Sequence, residues 1–418
     1  MTNAQVIENV SRVVTCGTGA PLLGPAMREL GVLADEPCVA VRDGRVAFVG
    51  ARKDLPKDFS KARRIDGEGG VLTPGLVDCH THPAFVKARA EEFEMRVAGA
   101  SYEQIAAAGG GILTSMRAVR QADDRALVFQ TARNLRRLRS HGVVVAEGKS
   151  GYGLNLKDEL RQLRAIRDAG EQADMHTVRT CLAAHSIPAE YRGVAGGKDA
   201  YLQLVIDEIL PQVVAEGLAE RADIFADREA AFDLAQLQRF CEAARNLGLR
   251  ITVHADQLRE DGGGEIAAKY HADSADHLEY LDPAGTDMMR AHGTSAVLLP
   301  GSTYVLKMDR WADGRFLVDQ GLNVALATDF NPGSSPVCNP AFVMNLAVMY
   351  CGLTAAEALA AFTANAAHAL RLPPGEYGVI AMGSRAAFAL WDVDDEREIA
   401  YYAGSNLCEV ITCPGWRS

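Results

Sequence analysis

From Gly75 onward the chain alternates short apolar runs with long amphipathic stretches. The runs end near His80, Glu147, His185, Asp227, His254, His277, Pro300 and Asp329. Between them, Asp123–His141, Lys157–Ala169 and Asp233–Leu247 carry the apolar spacing of helices. Eight strand-helix units predict an α/β fold, a (β/α)8 TIM-like barrel over residues 71–372, with its chemistry at the C-terminal ends of the strands. The flanks read differently. Residues 1–70 hold short strand-like runs such as Gly44-Arg-Val-Ala-Phe-Val-Gly50, broken by Gly, Pro and Asp. After an Ala-rich helix expected over Thr354–Leu372 come Ala387-Phe-Ala-Leu-Trp-Asp392 and Leu407-Cys-Glu-Val-Ile-Thr412. Residues 1–70 and 373–418 are therefore expected to join in one β-sandwich-like domain.

Several function classes are excluded early. A net charge of −11 lacks the dense Lys and Arg that nucleic acid or an anionic membrane surface demands. The nine cysteines are scattered with no Cys-x-x-Cys pair, the usage of a reducing compartment. No run approaches the roughly 20 apolar residues of a membrane span, and no basic, then apolar, leader opens the chain. A cytoplasmic protein acting on a small molecule is expected. A homodimer is compatible with the sequence, which fixes no oligomeric state.

The chemistry sits where the barrel rule puts it. His80 and His82 end the run Leu72-Thr-Pro-Gly-Leu-Val-Asp-Cys-His-Thr-His82, and residues i and i+2 of an extended chain face the same side. His254 closes Arg250-Ile-Thr-Val-His-Ala-Asp256, and Asp329 closes Leu322-Asn-Val-Ala-Leu-Ala-Thr-Asp329. Three imidazoles and one carboxylate leave a coordination position for water and suit Zn²⁺ or iron better than Mg²⁺ or Ca²⁺, which prefer oxygen. The expected chemistry is metal-assisted hydrolysis. A bridged two-metal site using Glu147 or Lys149 is a competing arrangement. A catalytically dead homologue would have lost a ligand, and all four are present.

Longer strings carry a resemblance. They are His80-Thr-His82, Arg89-x4-Glu-Met-Arg96, Ser101-Tyr102, Gly109-Gly-Gly-Ile112, Lys149-Ser-Gly-Tyr-Gly153 and Ala184-His185. Further on come His254-Ala-Asp256, Ser274-Ala-Asp-His-Leu278, Leu298-Leu-Pro-Gly301 and Ala327-Thr-Asp-Phe-Asn-Pro-Gly333. From about Leu72 to Leu370 the chain resembles the imidazolonepropionase family of the amidohydrolase superfamily. That resemblance implies hydrolysis of 4-imidazolone-5-propanoate to N-formimidoyl-L-glutamate, the third step of histidine degradation. It also implies one Zn²⁺ or Fe²⁺/Fe³⁺ held by His80, His82, His254 and Asp329.

Roles follow from the same likeness. Asp329 is expected to accept the water's proton, His185 to donate to the ring carbonyl, and His277 to handle a second proton. Arg89 is expected to clamp the propionate, because a guanidinium grips a carboxylate with two parallel hydrogen bonds. Tyr102, Tyr152, Asn331, Gly333 and Ser334 are expected to touch substrate, and Gly109-Gly-Gly111 to form a lid. Gln257 stands where some members have Glu, so it orients the ring and cannot act as a base. Val86-Lys-Ala-Arg89, Asp227, Gly148 and Ala386-Ala387 also depart from the pattern. They leave the reaction class intact; Ala386-Ala387 is expected to matter for the sandwich only, and the others bear on substrate identity. The alternative is another amidohydrolase, a cyclic-amide hydrolase or an aromatic deaminase acting on a related small anionic ring.

Overall fold

A computed structural model describes residues 4–99 and 110–417. Ser101, Tyr102 and Gly109 lie outside the described residues. Eight parallel strands form one sheet in chain order: β1 (Leu76–Asp78), β2 (Val143–Lys149), β3 (His176–Ala184), β4 (Arg221–Ala226), β5 (Arg250–Ala255), β6 (Ser274–His277), β7 (Ser295–Leu298) and β8 (Val324–Leu326). The expected helices are present as Asp124–Arg139, Leu156–Gln172 and Leu234–Asn246. Each begins on a side chain that accepts an otherwise unpaired N–H: Asp123 from Ala126, Asn155 from Asp158, and Asp233 from Gln236. At the last, Gln236 returns the bond to complete a capping box.

The ring closes between β1 and β8 through their C-terminal extensions. Thr81 bridges Phe330 in parallel. Asp329 N donates to His80 O and His82 N to Phe330 O, both at 3.0 Å. Thr328 donates from N (3.0 Å) and Oγ1 (2.6 Å) to the buried Asp78 carboxylate. The seam of the barrel is thus made by the segments that carry His80, His82 and Asp329.

Two sequence expectations need correction. Leu72–His82 is not one strand. Val71–Pro74 pairs with Ala387–Trp391 and Arg12–Val14, outside the barrel, and only after Gly75 does the chain enter it as β1. A Cβ on Gly75 would lie 2.5 Å from Val144 Cγ2, so the crossing requires glycine. His80 and His82 therefore lie beyond the strand end. The second correction concerns Thr354–Leu372, which is two helices, Ala355–Ala361 and Ala364–Ala369. At the break, Thr363 Oγ1 bonds back to Leu359 O at 2.7 Å, and Phe362 O accepts the N–H of Val77 from β1. Docking onto the barrel outweighs the alanine propensity there.

Both chain ends supply two further sheets. One has the order Arg45–Ala51, Pro37–Arg42, Ala4–Glu8, Arg63–Asp66. The other has the order Cys408–Thr412, Ala387–Trp391, Val71–Pro74, Arg12–Val14, Val32–Leu33. We keep the division into residues 1–70 plus 373–418 and a barrel over 71–372 as a proposal, with Val71–Pro74 moved to the composite unit because of its pairing. No helix among the described residues is long and apolar enough to cross a membrane. All nine cysteines are free.

Candidate active site

Alternate residues of each barrel strand point inward. On β4 these are Arg221, which donates to Leu370 O; Asp223, which meets Lys149 and His254; and Phe225, which lines the cavity. Glu147 and Lys149 of β2, Thr180 of β3, Thr252 of β5 and Asp276 of β6 join Asp223 in a buried polar layer. This is unusual for a barrel interior, which branched apolar side chains ordinarily fill. The layer supports a cluster of imidazoles.

The sequence-predicted ligands converge. His82 Nε2 is 3.3 Å from His80 Nε2 and 3.2 Å from Asp329 Oδ1, and His80 Nε2 is 3.6 Å from the same oxygen. The His254 ring centroid lies 4.5 Å from that of His80. Three overlapping groups (His80, His254, His277; His82, His185, His254; His80, His82, Asp329) each have their ligand atoms within 4.8 Å of one another. All these side chains are buried or nearly so.

The donor set fits a transition-metal dication. Burial pushes His80 and His82 well below the usual histidine value, so they stand as neutral imidazoles with a lone pair to offer. His80 Nδ1 lies 2.6 Å from Asp276 Oδ2 and His254 Nδ1 3.1 Å from Asp223 Oδ1. Each Nδ1–H donates to its carboxylate, which leaves Nε2 free for a metal. Two bonds of about 2.0–2.1 Å at a tetrahedral centre put their nitrogens roughly 3.3 Å apart, the His80–His82 spacing. The buried Nδ1 atoms of His82 and His277 have no hydrogen-bond partner among the described residues.

A cavity of about 780 Å³ opens over the cluster. Its lining includes Arg89, Tyr152, His185, His254, Gln257, His277, Asp329, Asn331, Gly333 and Ser334, so every described residue expected to touch substrate or act in catalysis is on its wall. Tyr152 is held by a rigid loop, because the Glu159 carboxylate accepts from the N–H groups of Gly151 (3.0 Å), Gly153 (2.9 Å) and Leu154 (2.7 Å). His185 Nδ1 sits 3.1 Å from Gly151 O. A carbonyl only accepts, so Nδ1 carries the proton and neutral His185 presents Nε2 as an acceptor. Burial lowers its pKa well below the ordinary value. Donation from His185 to a carbonyl therefore requires the imidazolium. Burial also lowers His277, to about 3, and raises Asp329 above its ordinary value.

Arg89 and Asn331 are placed differently from their simplest reading. Arg89 Nε and Nη2 donate to Glu92 Oε2 at 2.9 and 2.6 Å, so the clamp is braced by an acid one helical turn on. Asn331 Oδ1 accepts from the N–H groups of Gly333 and Ser334, both at 2.8 Å, while Nδ2 donates to Asp329 O at 2.7 Å. Its amide shapes the loop after Asp329. Of the two bridges considered for a two-metal site, Lys149 Nζ lies 2.6 Å from Asp223 Oδ2 and 2.9 Å from Glu147 Oε2. An ammonium so enclosed has no lone pair for a metal.

Sequence reasoning missed Asp223, Asp276, Glu92 and Arg96. Asp276 had a readable signal, standing beside His277 in Ser274-Ala-Asp-His-Leu278. Arg96 is one helical turn after Glu92 and lines the cavity with Arg89. Asp223 had no signal in the string around it.

A near-closed eight-stranded barrel with a histidine–aspartate cluster at its mouth defines an amidohydrolase. The amidohydrolase family model matches residues 71–412, and the chain belongs to that family. Solved structures agree on the fold. A triazine hydrolase variant superposes with a TM-score of 0.75 at 16% identity, covering 99% of this chain and 94% of that one. An adenosine deaminase from Xanthomonas campestris with bound zinc gives 0.71 at 18% identity, covering 98% and 92%. Within the family the chain belongs with the imidazolonepropionases. It is 46% identical to the imidazolonepropionase of Cupriavidus pinatubonensis over 91% of this chain and 89% of that protein. With the imidazolonepropionase of Shewanella amazonensis the figures are 44%, 93% and 95%.

Proposed function

We propose that this chain hydrolyses the ring amide C–N bond of 4-imidazolone-5-propanoate to give N-formimidoyl-L-glutamate, the third step of histidine degradation. One observation carries the reading: neutral imidazoles and Asp329 meet at the floor of a cavity that also holds Arg89, in a chain grouped with the imidazolonepropionases. His80, His82, His254 and Asp329 would hold a single Zn²⁺ or Fe²⁺/Fe³⁺. When bound, such an ion lowers the pKa of water towards neutrality and polarises a carbonyl.

The protein's own groups do the rest. Arg89, fixed by Glu92, pairs with the propionate and sets the ring over the cluster. Asp329, whose proton affinity burial raises, accepts the proton of the attacking water. Neutral His277 takes a proton in transit to the leaving ring nitrogen. His185, with Nδ1–H held on Gly151 O, offers Nε2 as an acceptor to a ring N–H and orients the ring. Tyr152 shields the ring from water, and Gln257 orients it by hydrogen bonds. Gly333 and Ser334, shaped by Asn331, complete the wall. The reading places the enzyme in the cytoplasm, with its nine cysteines reduced and a small molecule as its partner.

The test is the loss of imidazolone absorbance with purified enzyme, followed through chelation and restoration with Zn²⁺ or Fe²⁺. Turnover that disappears with chelator, returns with metal and releases no ammonia is expected. Ammonia release would favour the deaminase alternative, and turnover indifferent to chelation would overturn the reading.

A further inference from the structure

Lys149 is wholly buried inside the barrel, and its Nζ faces three carboxylates: Asp223 Oδ2 at 2.6 Å, Glu147 Oε2 at 2.9 Å and Asp276 Oδ2 at 3.7 Å. A charge in that position is tolerated only when paired. The three acids have different second partners. Asp223 uses its other oxygen, Oδ1, for His254 Nδ1 at 3.1 Å. Asp276 presents the same Oδ2 to His80 Nδ1 at 2.6 Å. Glu147 Oε1 accepts from Thr180 Oγ1 at 2.5 Å, and among the described residues no hydrogen bond or ion pair joins its carboxylate to a histidine. The backbone joins the same unit, because Lys149 N donates to Thr81 O at 2.9 Å, between His80 and His82.

We propose that Lys149 is a positioning residue for the metal centre: one ammonium orients Asp223 and Asp276, and through them fixes His254 and His80 with their Nε2 atoms towards the ion. The inference rests on the metal-site reading above. Without the lysine, the Asp223 and Asp276 carboxylates lose the ion pairs at 2.6 and 3.7 Å that hold them in place. An Asp276 or Asp223 free to turn away no longer holds the Nδ1–H of its histidine, and the ring loses its fixed orientation. A single side chain thus couples two ligands from separate strands, His80 just beyond β1 and His254 on β5.

The experiment uses Lys149→Met, which keeps the length and removes the charge. Metal affinity is measured by competition with a chelator, and the Co²⁺-substituted protein gives a visible spectrum that reads ligand geometry directly. The expected result is a folded variant that holds metal about 10- to 100-fold more weakly, with an altered Co²⁺ spectrum. At saturating metal kcat should fall, while KM changes less than about twofold. Asp276→Asn should weaken metal binding alone, and the double variant should be no weaker than the worse single one. Glu147→Gln, which touches Lys149 and no ligand, should shift metal affinity less than about threefold. A folded Lys149→Met with wild-type affinity and spectrum overturns the proposal, as do additive effects in the double variant. Should Lys149→Met not fold, Lys149→Gln replaces it; if neither folds with metal present, the lysine serves the barrel and the proposal is likewise overturned. A wild type that binds no metal removes the reading underneath, a distinct result from a metal-binding wild type with indifferent variants.

Discussion

Gly333→Ala is the sharpest probe of the anion clamp, because it moves Arg89 without touching its charge. A Cβ built on Gly333 lies 2.7 Å from Arg89 Cζ and nearer still to Nη1, where ordinary contacts begin at about 3.4 Å. The guanidinium must swing away by about 0.7 Å or more. It is already tied to Glu92 by two bonds to Oε2, so the swing also loosens that brace. Gly333 does not use the left-handed backbone region, so alanine introduces no strain of its own. A hydrogen bond to a charged group is worth about 1.5–3 kcal/mol, and misplacement near 1 Å at a positioning residue can cost about 100-fold. KM for 4-imidazolone-5-propanoate should therefore rise roughly 10- to 150-fold, with Tm nearly unchanged. The assay is initial-rate loss of imidazolone absorbance over a wide substrate range, with Tm by calorimetry. A KM within twofold of wild type, in a folded variant, would refute the placement of Arg89 as the carboxylate clamp.

Arg89→Ala should raise KM further still, by several kcal/mol if the pair with propionate is desolvated; unchanged kinetics would transfer the grip to another residue such as Arg96. Asp329→Asn removes both a charged ligand and the proton acceptor, so turnover should vanish and metal retention fall; near-normal kcat in the metal-loaded variant would end that role. The metal-free protein should weaken in acid, because burial holds His80, His82, His185 and His277 below their ordinary value of 6.5. Their stabilisation is complete above the unfolded value and is lost as pH falls below 6.5, at about 1.4 kcal/mol per pH unit for each histidine. Tm of the chelated protein should drop steeply between pH 6.5 and 5.5, and a flat Tm there would contradict neutral buried imidazoles.

The barrel was legible because its signal is distributed. Eight apolar runs between capped helices survive errors at any one of them, and five of the eight expected run ends coincide with cavity or cluster residues: His80, His185, His254, His277 and Asp329. What failed was local. Gly75 splits the run before His80 for a reason visible only in Val144, a residue of the next strand. The alanines of Thr354–Leu372 carry a helical propensity that cannot announce the bond from Val77 interrupting it.

Asp276, though its string was readable, was passed over for a more instructive reason. On a regular strand, neighbours face opposite sides, so Asp276 and His277 should not both serve the same interior. They do, because His277 has φ 84° and Leu278 φ 71°, where few residues other than glycine settle. That backbone turns His277 into the cavity wall while Asp276 remains below it, against His80. Such a conformation costs on the order of 1–3 kcal/mol per residue and persists only where surrounding packing enforces it. Alternation, the rule that found the strand, is thus broken where the strand becomes functional. Asp329 repeats the pattern at φ 51°, with its peptide N–H on His80 O and its carbonyl oxygen on the Asn331 amide. A sequence rule based on relaxed geometry finds the scaffold and stops one residue short of the ligands' supports. Relaxing the turn should therefore cost the site more than the fold: Leu278→Gly is expected to leave Tm within a few degrees while loosening His277 and lowering kcat. A loss of Tm with kcat intact would show that the strained turn serves the barrel and not the chemistry.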